Sequence, residues 1–167
     1  MAEIQVTWDE LIYQLKARIK RIENYNLLFV ALPLRSAHVN ASKLCKQLEG
    51  EYIDFDRELI DRLEKDNWEE HINLVQHENM IPGRIIAEKL VGDVVQELNP
   101  SRPIVLGNPN LAIFFNLDLG AFIYPHTRTG NCIFAAPGSV RGQTLLLHGL
   151  HPQTGAGFTP IWELVKN

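Results

Sequence analysis

The sequence predicts one α/β domain of three layers built on a largely parallel sheet. Short apolar runs such as Leu27 to Leu32 lack polar alternation, as expected of strands covered on both faces by helices. These runs alternate along the chain with segments of helical apolar spacing, the pattern of strand–helix–strand crossovers in a parallel sheet. The 167 residues fit a single domain, and no repeat, low-complexity tract or long linker divides them.

Thr7-Trp-Asp-Glu10 is a capping box, and Trp8, Leu11, Leu15, Ile19 and Ile22 follow it at helical spacing, predicting a helix to about Glu23. The Leu27–Leu32 strand leads through Pro33 to Asn40 into a second helix, with Asn40 as its expected cap, Ala41, Leu44, Cys45 and Leu48 inward, and Gly50 at its end. Residues Glu51 to Phe55 read as a strand. Asp56 is the expected cap of a helix that turns Leu59, Ile60 and Leu63 inward. A polar stretch from Trp68 to His77 reads as helical. Ile85, Ile86, Leu90, Val91, Val94, Val95 and Leu98 then mark an amphipathic helix that begins near Pro82-Gly83. Pro103 to Leu106, Asn131 to Ala136 and Gln143 to His148 read as strands, and Ile161 to Val165 as a short terminal helix.

Composition excludes several classes. With 46% apolar and 22% charged residues the chain is neither disordered nor membrane-spanning, and its longest apolar run, Leu27 to Leu34, is far short of a bilayer. The first residues lack the basic and apolar pattern of a secretory signal, and Cys45 and Cys132 fall in segments that read as core, so a cytoplasmic location is expected. A net charge of −4 argues against a free-standing nucleic-acid binder. Lys16, Arg18, Lys20 and Arg21 cluster on the first helix, as a solvated face or as a basic patch.

In open α/β sheets ligands meet the carboxyl ends of the strands, which directs attention to the loop after Leu32. A phosphate-binding loop there needs the pattern GxxxxGK followed by Ser or Thr: glycines allow backbone N–H groups to approach, lysine balances charge, and the hydroxyl holds Mg²⁺. With Ala31 at the first glycine, Ser36 stands at the second, Ala37 at the lysine and His38 at the hydroxyl position. Arg35 and Lys43 are the only substitutes for the missing charge, Lys43 lying beyond the first helical turn. If nucleotide binds at all, Arg35, Ser36, His38 and Lys43 are the residues expected to hold it.

Several segments, in order, resemble BrxF, the small P-loop protein of bacterial BREX phage-defence systems. They are Leu27 to Asn40, Tyr52-Ile-Asp-Phe-Asp56 with its Leu-rich helix, Ile104 to Leu119, and Cys132-Ile-Phe-Ala-Ala-Pro-Gly138. The resemblance implies a P-loop NTPase-like fold and places an acidic, Mg²⁺-binding pair in Ile104-Val-Leu-Gly-Asn-Pro-Asn110. Gly107 and Asn110 stand where those carboxylates belong, and neither supplies an anionic oxygen. The loss of both motifs implies a non-catalytic interaction module with no cofactor and no metal, a pseudo-ATPase that binds a protein partner or itself, with nucleic acid reached only through a complex.

Other constellations keep two readings. Asp54, Asp56 and Glu58 form either a metal cluster or a helix cap with favourable first-turn charges. His148 and His151 lack further zinc ligands, and Ser36 with His38 lacks an orienting carboxylate and a nucleophile-elbow pattern. Tyr124 to Gly130 is either an anion-binding loop or a surface turn, and Leu111 to Phe115 is either core or partner interface. The rival functions are an ATPase or GTPase using Arg35 or Lys43, and a nucleic-acid adaptor using the basic helix and Arg128.

Overall fold

The computed structural model describes residues 5–20, 26–65, 81–97, 102–108, 110–111, 130–141, 144–147, 153–154 and 161–164. The elements are β1 (Gln5–Val6), α1 (Trp8–Ile19), β2 (Asn26–Leu32), a 3₁₀ turn (Leu34–Ser36), α2 (Ala37–Gln47), β3 (Glu51–Asp54) and α3 (Phe55–Lys65). They continue with α4 (Ile81–Glu97), β4 (Ile104–Gly107), β5 (Asn131–Arg141), β6 (Thr144–Leu147), β7 (Gln153–Thr154) and β8 (Ile161–Leu164). Six strands pair in the order β1-β8-β2-β5-β4-β3, and every pairing among them is parallel. The far half of β5 leaves this sheet to pair antiparallel with β6, which pairs in turn with β7.

Strand alternation sorts the core into two layers. Leu28, Val30 and Leu32 of β2, Val105 of β4, Ile133 and Ala135 of β5, and Trp162 and Leu164 of β8 cluster with the inner faces of α1 and α2. The intervening residues Phe29, Ala31, Ile104, Leu106, Cys132, Phe134 and Ala136 are buried as well, and side chains alternate along a strand, so they face the other way. Phe29 and Phe134 meet edge to face there, 5.5 Å between ring centres. Phe55, Leu59 and Leu63 of α3 and Ala87, Leu90 and Val94 of α4 are buried outside the first cluster and form the third layer. The ion pair of Arg62 with Asp93, at 2.6 Å, ties α3 to α4.

The capping box forms as its spacing predicts. Thr7 Oγ1 accepts from the Glu10 N–H, and the Glu10 carboxylate accepts from the Thr7 N–H at 2.8 Å. Cys45 and Cys132 are both buried. Four expectations are corrected. Helix α2 starts at Ala37, three residues before Asn40, because a 3₁₀ turn after Pro33 leads β2 straight into it; Asn40 lies inside the helix and donates to Ser36 Oγ one turn back. The cap of α3 is Asp54, whose Oδ1 accepts from the Arg57 N–H, so Phe55 belongs to the helix and Asp56 is free to bond elsewhere. Ile60 is 37% exposed, one position off the Leu59–Leu63 stripe, and Ile85 likewise points outward from α4.

The fourth correction concerns the last described strand. Ile161–Leu164 is a strand, not a helix, because it fills the slot between β1 and β2, where its backbone completes two ladders. The strand expected from Gln143 to His148 is present as β6, described from Thr144 to Leu147, and it runs antiparallel to β5. The expected helix at Trp68 to His77, the Tyr124–Gly130 loop, the His148–His151 pair and most of Leu111–Phe115 lie outside the described residues. Among the described residues no helix is long and apolar enough to cross a membrane.

The end of α2 shows why Gly50 stands where it does. The N–H of Gly50 bonds to the Cys45 carbonyl and that of Glu49 to the Lys46 carbonyl, a Schellman closure. The left-handed residue of that closure is Glu49, with φ of 54°, not the glycine. Gly50 is instead needed for close approach, since a Cβ there would stand 2.6 Å from the Pro103 carbonyl oxygen. Glu49→Gly should therefore raise stability by about 0.5–1 kcal/mol, the left-handed penalty of an L side chain less the extra chain entropy of glycine. Gly50→Ala should lower it by at least about 1 kcal/mol through overpacking. Urea unfolding midpoints measure both, and equal effects of the two changes would contradict this division of roles.

Candidate functional site at the carboxyl edge of the sheet

Strands β2 and β5 are neighbours, yet the chain continues from β2 to β3 on one side of the pair and from β5 to β8 on the other. Such a divergence opens a crevice at the carboxyl ends of a parallel sheet. The 3₁₀ turn, the start of α2, the end of β3 and the end of β4 all come to this edge.

The turn itself is built by proline and short-range bonding. Pro33 has no N–H to offer, and the Ser36 N–H donates to the Pro33 carbonyl at 3.1 Å. No residue from Ala31 to Asn40 has a positive φ, so the backbone does not alternate between right- and left-handed residues as an anion-cradling nest does. Arg35 and His38 are exposed, and Ser36 Oγ accepts the Asn40 amide. Lys43 does not join them: its Nζ sits 4.3 Å from the centre of the Trp8 ring, a cation–π contact that joins α2 to α1. Of the four candidate residues, Arg35, Ser36 and His38 thus share the turn while Lys43 serves the interhelical seam.

A polar network links the turn to β3 and β4. Asn108 Nδ2 donates to Asp54 Oδ2 at 3.1 Å and lies 3.4 Å from His38 Nδ1. Turning the amide over would set its oxygen against the carboxylate, so the nitrogen faces Asp54. The Tyr52 hydroxyl lies 3.3 Å from the same Nδ1, and the two rings meet edge to face. Burial, and then the nearby Asp54, push the Tyr52 phenol up to about 12, so it remains a donor.

The tip of Tyr52 fills the place of a missing side chain. A Cβ on Gly107 would stand 2.5 Å from the Tyr52 hydroxyl oxygen and 2.9 Å from the ring. The register that pairs Asp54 with Gly107 and Tyr52 with Val105 puts these residues on one face of the sheet. A carboxylate at position 107 and this placement of Tyr52 therefore exclude each other.

Asp56, relieved of capping, reaches across to the residues after β4. Its Oδ1 accepts the Leu111 N–H and its Oδ2 the Asn110 amide, both at 2.8 Å, and its own N–H donates to the Asn108 carbonyl at 3.0 Å. Burial raises its pKa, and the bonds from Leu111 and Asn110 only partly offset that. Asn108 adopts φ of 48°, a left-handed conformation that asparagine tolerates better than most residues. Asp54 and Asp56 are thus committed to protein donors, and Glu58 lies exposed in the first turn of α3. Among the described residues no three His, Cys, Asp or Glu side chains gather as metal ligands. Ser36 and His38 turn to different partners, so no nucleophile–base pair forms between them.

Sequence reasoning placed Gly107 and Asn110 at this edge but missed Tyr52 and Asn108. The available signal was the Gly-Asn pair directly after an apolar strand, which marks a left-handed turn. No protein-family model matches the chain, and no curated protein or solved structure matches it either.

Two outcomes follow. Gly107→Ala should destabilise by about 1–3 kcal/mol, the usual cost of overpacking, and most of that cost should vanish in a Tyr52→Ala background. A double-mutant cycle from urea unfolding reads the coupling, and additive effects would refute the contact. The folded-state pKa of Tyr52 exceeds its unfolded value near 10, so its contribution to stability is present below pH 10 and is lost as pH rises toward about 12. Tyr52→Phe should flatten the stability profile across that alkaline window, whereas an unchanged slope would show that the phenol is not held as described.

Proposed function

We propose that the chain is a non-catalytic protein-interaction module on a P-loop-like α/β frame, serving as a subunit of a bacterial phage-defence complex. The observation that carries this reading is the Tyr52 phenol occupying the space beside Gly107, where a metal-binding carboxylate would project. The strand order supports the P-loop-like frame, with β5 between the strand before the 3₁₀ turn and the strand that ends at Gly107. At the neighbouring turn, the proline and the bonded Ser36 N–H leave fewer free donors for a phosphate. Asp54, Asp56, Asn108 and Asn110 satisfy one another or the backbone, an arrangement suited to holding a surface still.

Titration calorimetry with ATP and with GTP, each with Mg²⁺, provides the test beside a working P-loop ATPase as control. The expected result is no saturable heat and no thermal shift at millimolar nucleotide. Saturable micromolar binding that weakens in Arg35→Ala would replace this reading with that of an atypical nucleotide-dependent enzyme or switch.

A further inference from the structure

The 3₁₀ turn and the first turn of α2 carry exposed apolar side chains on either side of an arginine in sequence. Leu34 is 60% exposed and Val39 67%, and Arg35 stands between them in sequence. Among the described residues no hydrogen bond or ion pair engages the Arg35 guanidinium. From Pro33 to Leu48 the chain carries Arg35, Lys43 and Lys46 and no acidic residue, within a protein of net charge −4. The first turn of α2 has neither an acidic side chain nor a side-chain cap, because Ser36 Oγ is taken by Asn40. Single exposed apolar residues are ordinary on a protein surface. Two of them flanking in sequence an arginine that has no partner among the described residues, on a segment of one charge sign, form a surface that is both apolar and cationic.

Resting on the interaction-module reading, we propose that this surface docks an acidic segment of a partner protein. A carboxylate of the partner pairs with Arg35, and apolar side chains next to it cover Leu34 and Val39. Charge complementarity selects this occupant: a second copy meeting the same face by two-fold symmetry would oppose arginine to arginine. Leu34 and Val39 give a phosphodiester backbone nothing to bind, which favours a polypeptide over nucleic acid. The His38–Asn108–Asp54 network ties the start of α2 to β3 and β4.

The probe is a random twelve-residue peptide library displayed on phage and selected against the intact chain. The selected peptides are then synthesised and their affinities measured by fluorescence anisotropy. Enriched peptides should carry Asp or Glu beside Leu, Ile, Val or Phe. Arg35→Glu and the double variant Leu34→Ser with Val39→Ser should each weaken binding at least tenfold, while Lys65→Glu on α3 should leave it within twofold. All three changes lie on exposed side chains, and unchanged thermal melting verifies their folds. Peptides whose binding ignores both turn variants would overturn this docking surface and leave the module reading standing, which only nucleotide binding defeats. The proposal would equally fall if a single-stranded twenty-base oligonucleotide bound with loss in Arg35→Glu but not in the serine double variant.

Discussion

The carboxyl edge of the sheet depends on one steric exclusion, the absence of a side chain at Gly107. Because nothing projects from that position, the Tyr52 phenol can lie across the end of β4 and reach His38 at the start of α2. The aligned register of β3 and β4 brings Asp54 level with Gly107, and its carboxylate then orients the Asn108 amide. That amide in turn lies 3.4 Å from His38 Nδ1. A chain of local consequences, each set by hydrogen-bond geometry, thus joins three strand ends that are remote in sequence.

The two carboxylates at this edge divide labour by direction. Asp54 turns inward along its own helix as a cap, while Asp56, two residues later, projects across to the backbone that follows β4. The first arrangement satisfies an orphan N–H of a helix end, and the second satisfies the part-buried Leu111 N–H after β4. Burial raises the pKa of Asp56 because its carboxylate has left water for that task. Each carboxylate orders a turn, so acidic density here reflects the architecture of strand ends.

How much of this was legible depended on whether the deciding interaction was local. The Thr7–Glu10 box, the continuous apolar run of β2 and the stripe Leu59–Leu63 are properties of neighbouring residues, and they read correctly. Ile161, Trp162, Leu164 and Val165 fit helical spacing as well as they fit a strand. Only the vacancy between β1 and β2, a feature of distant segments, decides for the strand. Asn40 and Asp56 were good capping residues placed too late, since the true starts are set by where β2 and β3 end. The candidate site divided in the same way: Arg35, Ser36 and His38 were adjacent in sequence and remained together, whereas the Tyr52–Gly107 contact spans residues that no local pattern connects.

The position of β2 also bears on how the chain is made. Both of its neighbours, β5 and β8, come from the last third of the sequence. During synthesis the N-terminal half can form α1 and α2, but β3 waits for β4, and β2 has no ladder partner until residues beyond 130 have left the ribosome, its other edge staying open until β8 has done so. Such long-range pairing slows folding and prolongs the exposure of an apolar edge to other chains. Proteolytic loss of β8 would strip β1 of its strand partner among the described residues and β2 of one of its two, turning a central strand into a template for aggregation.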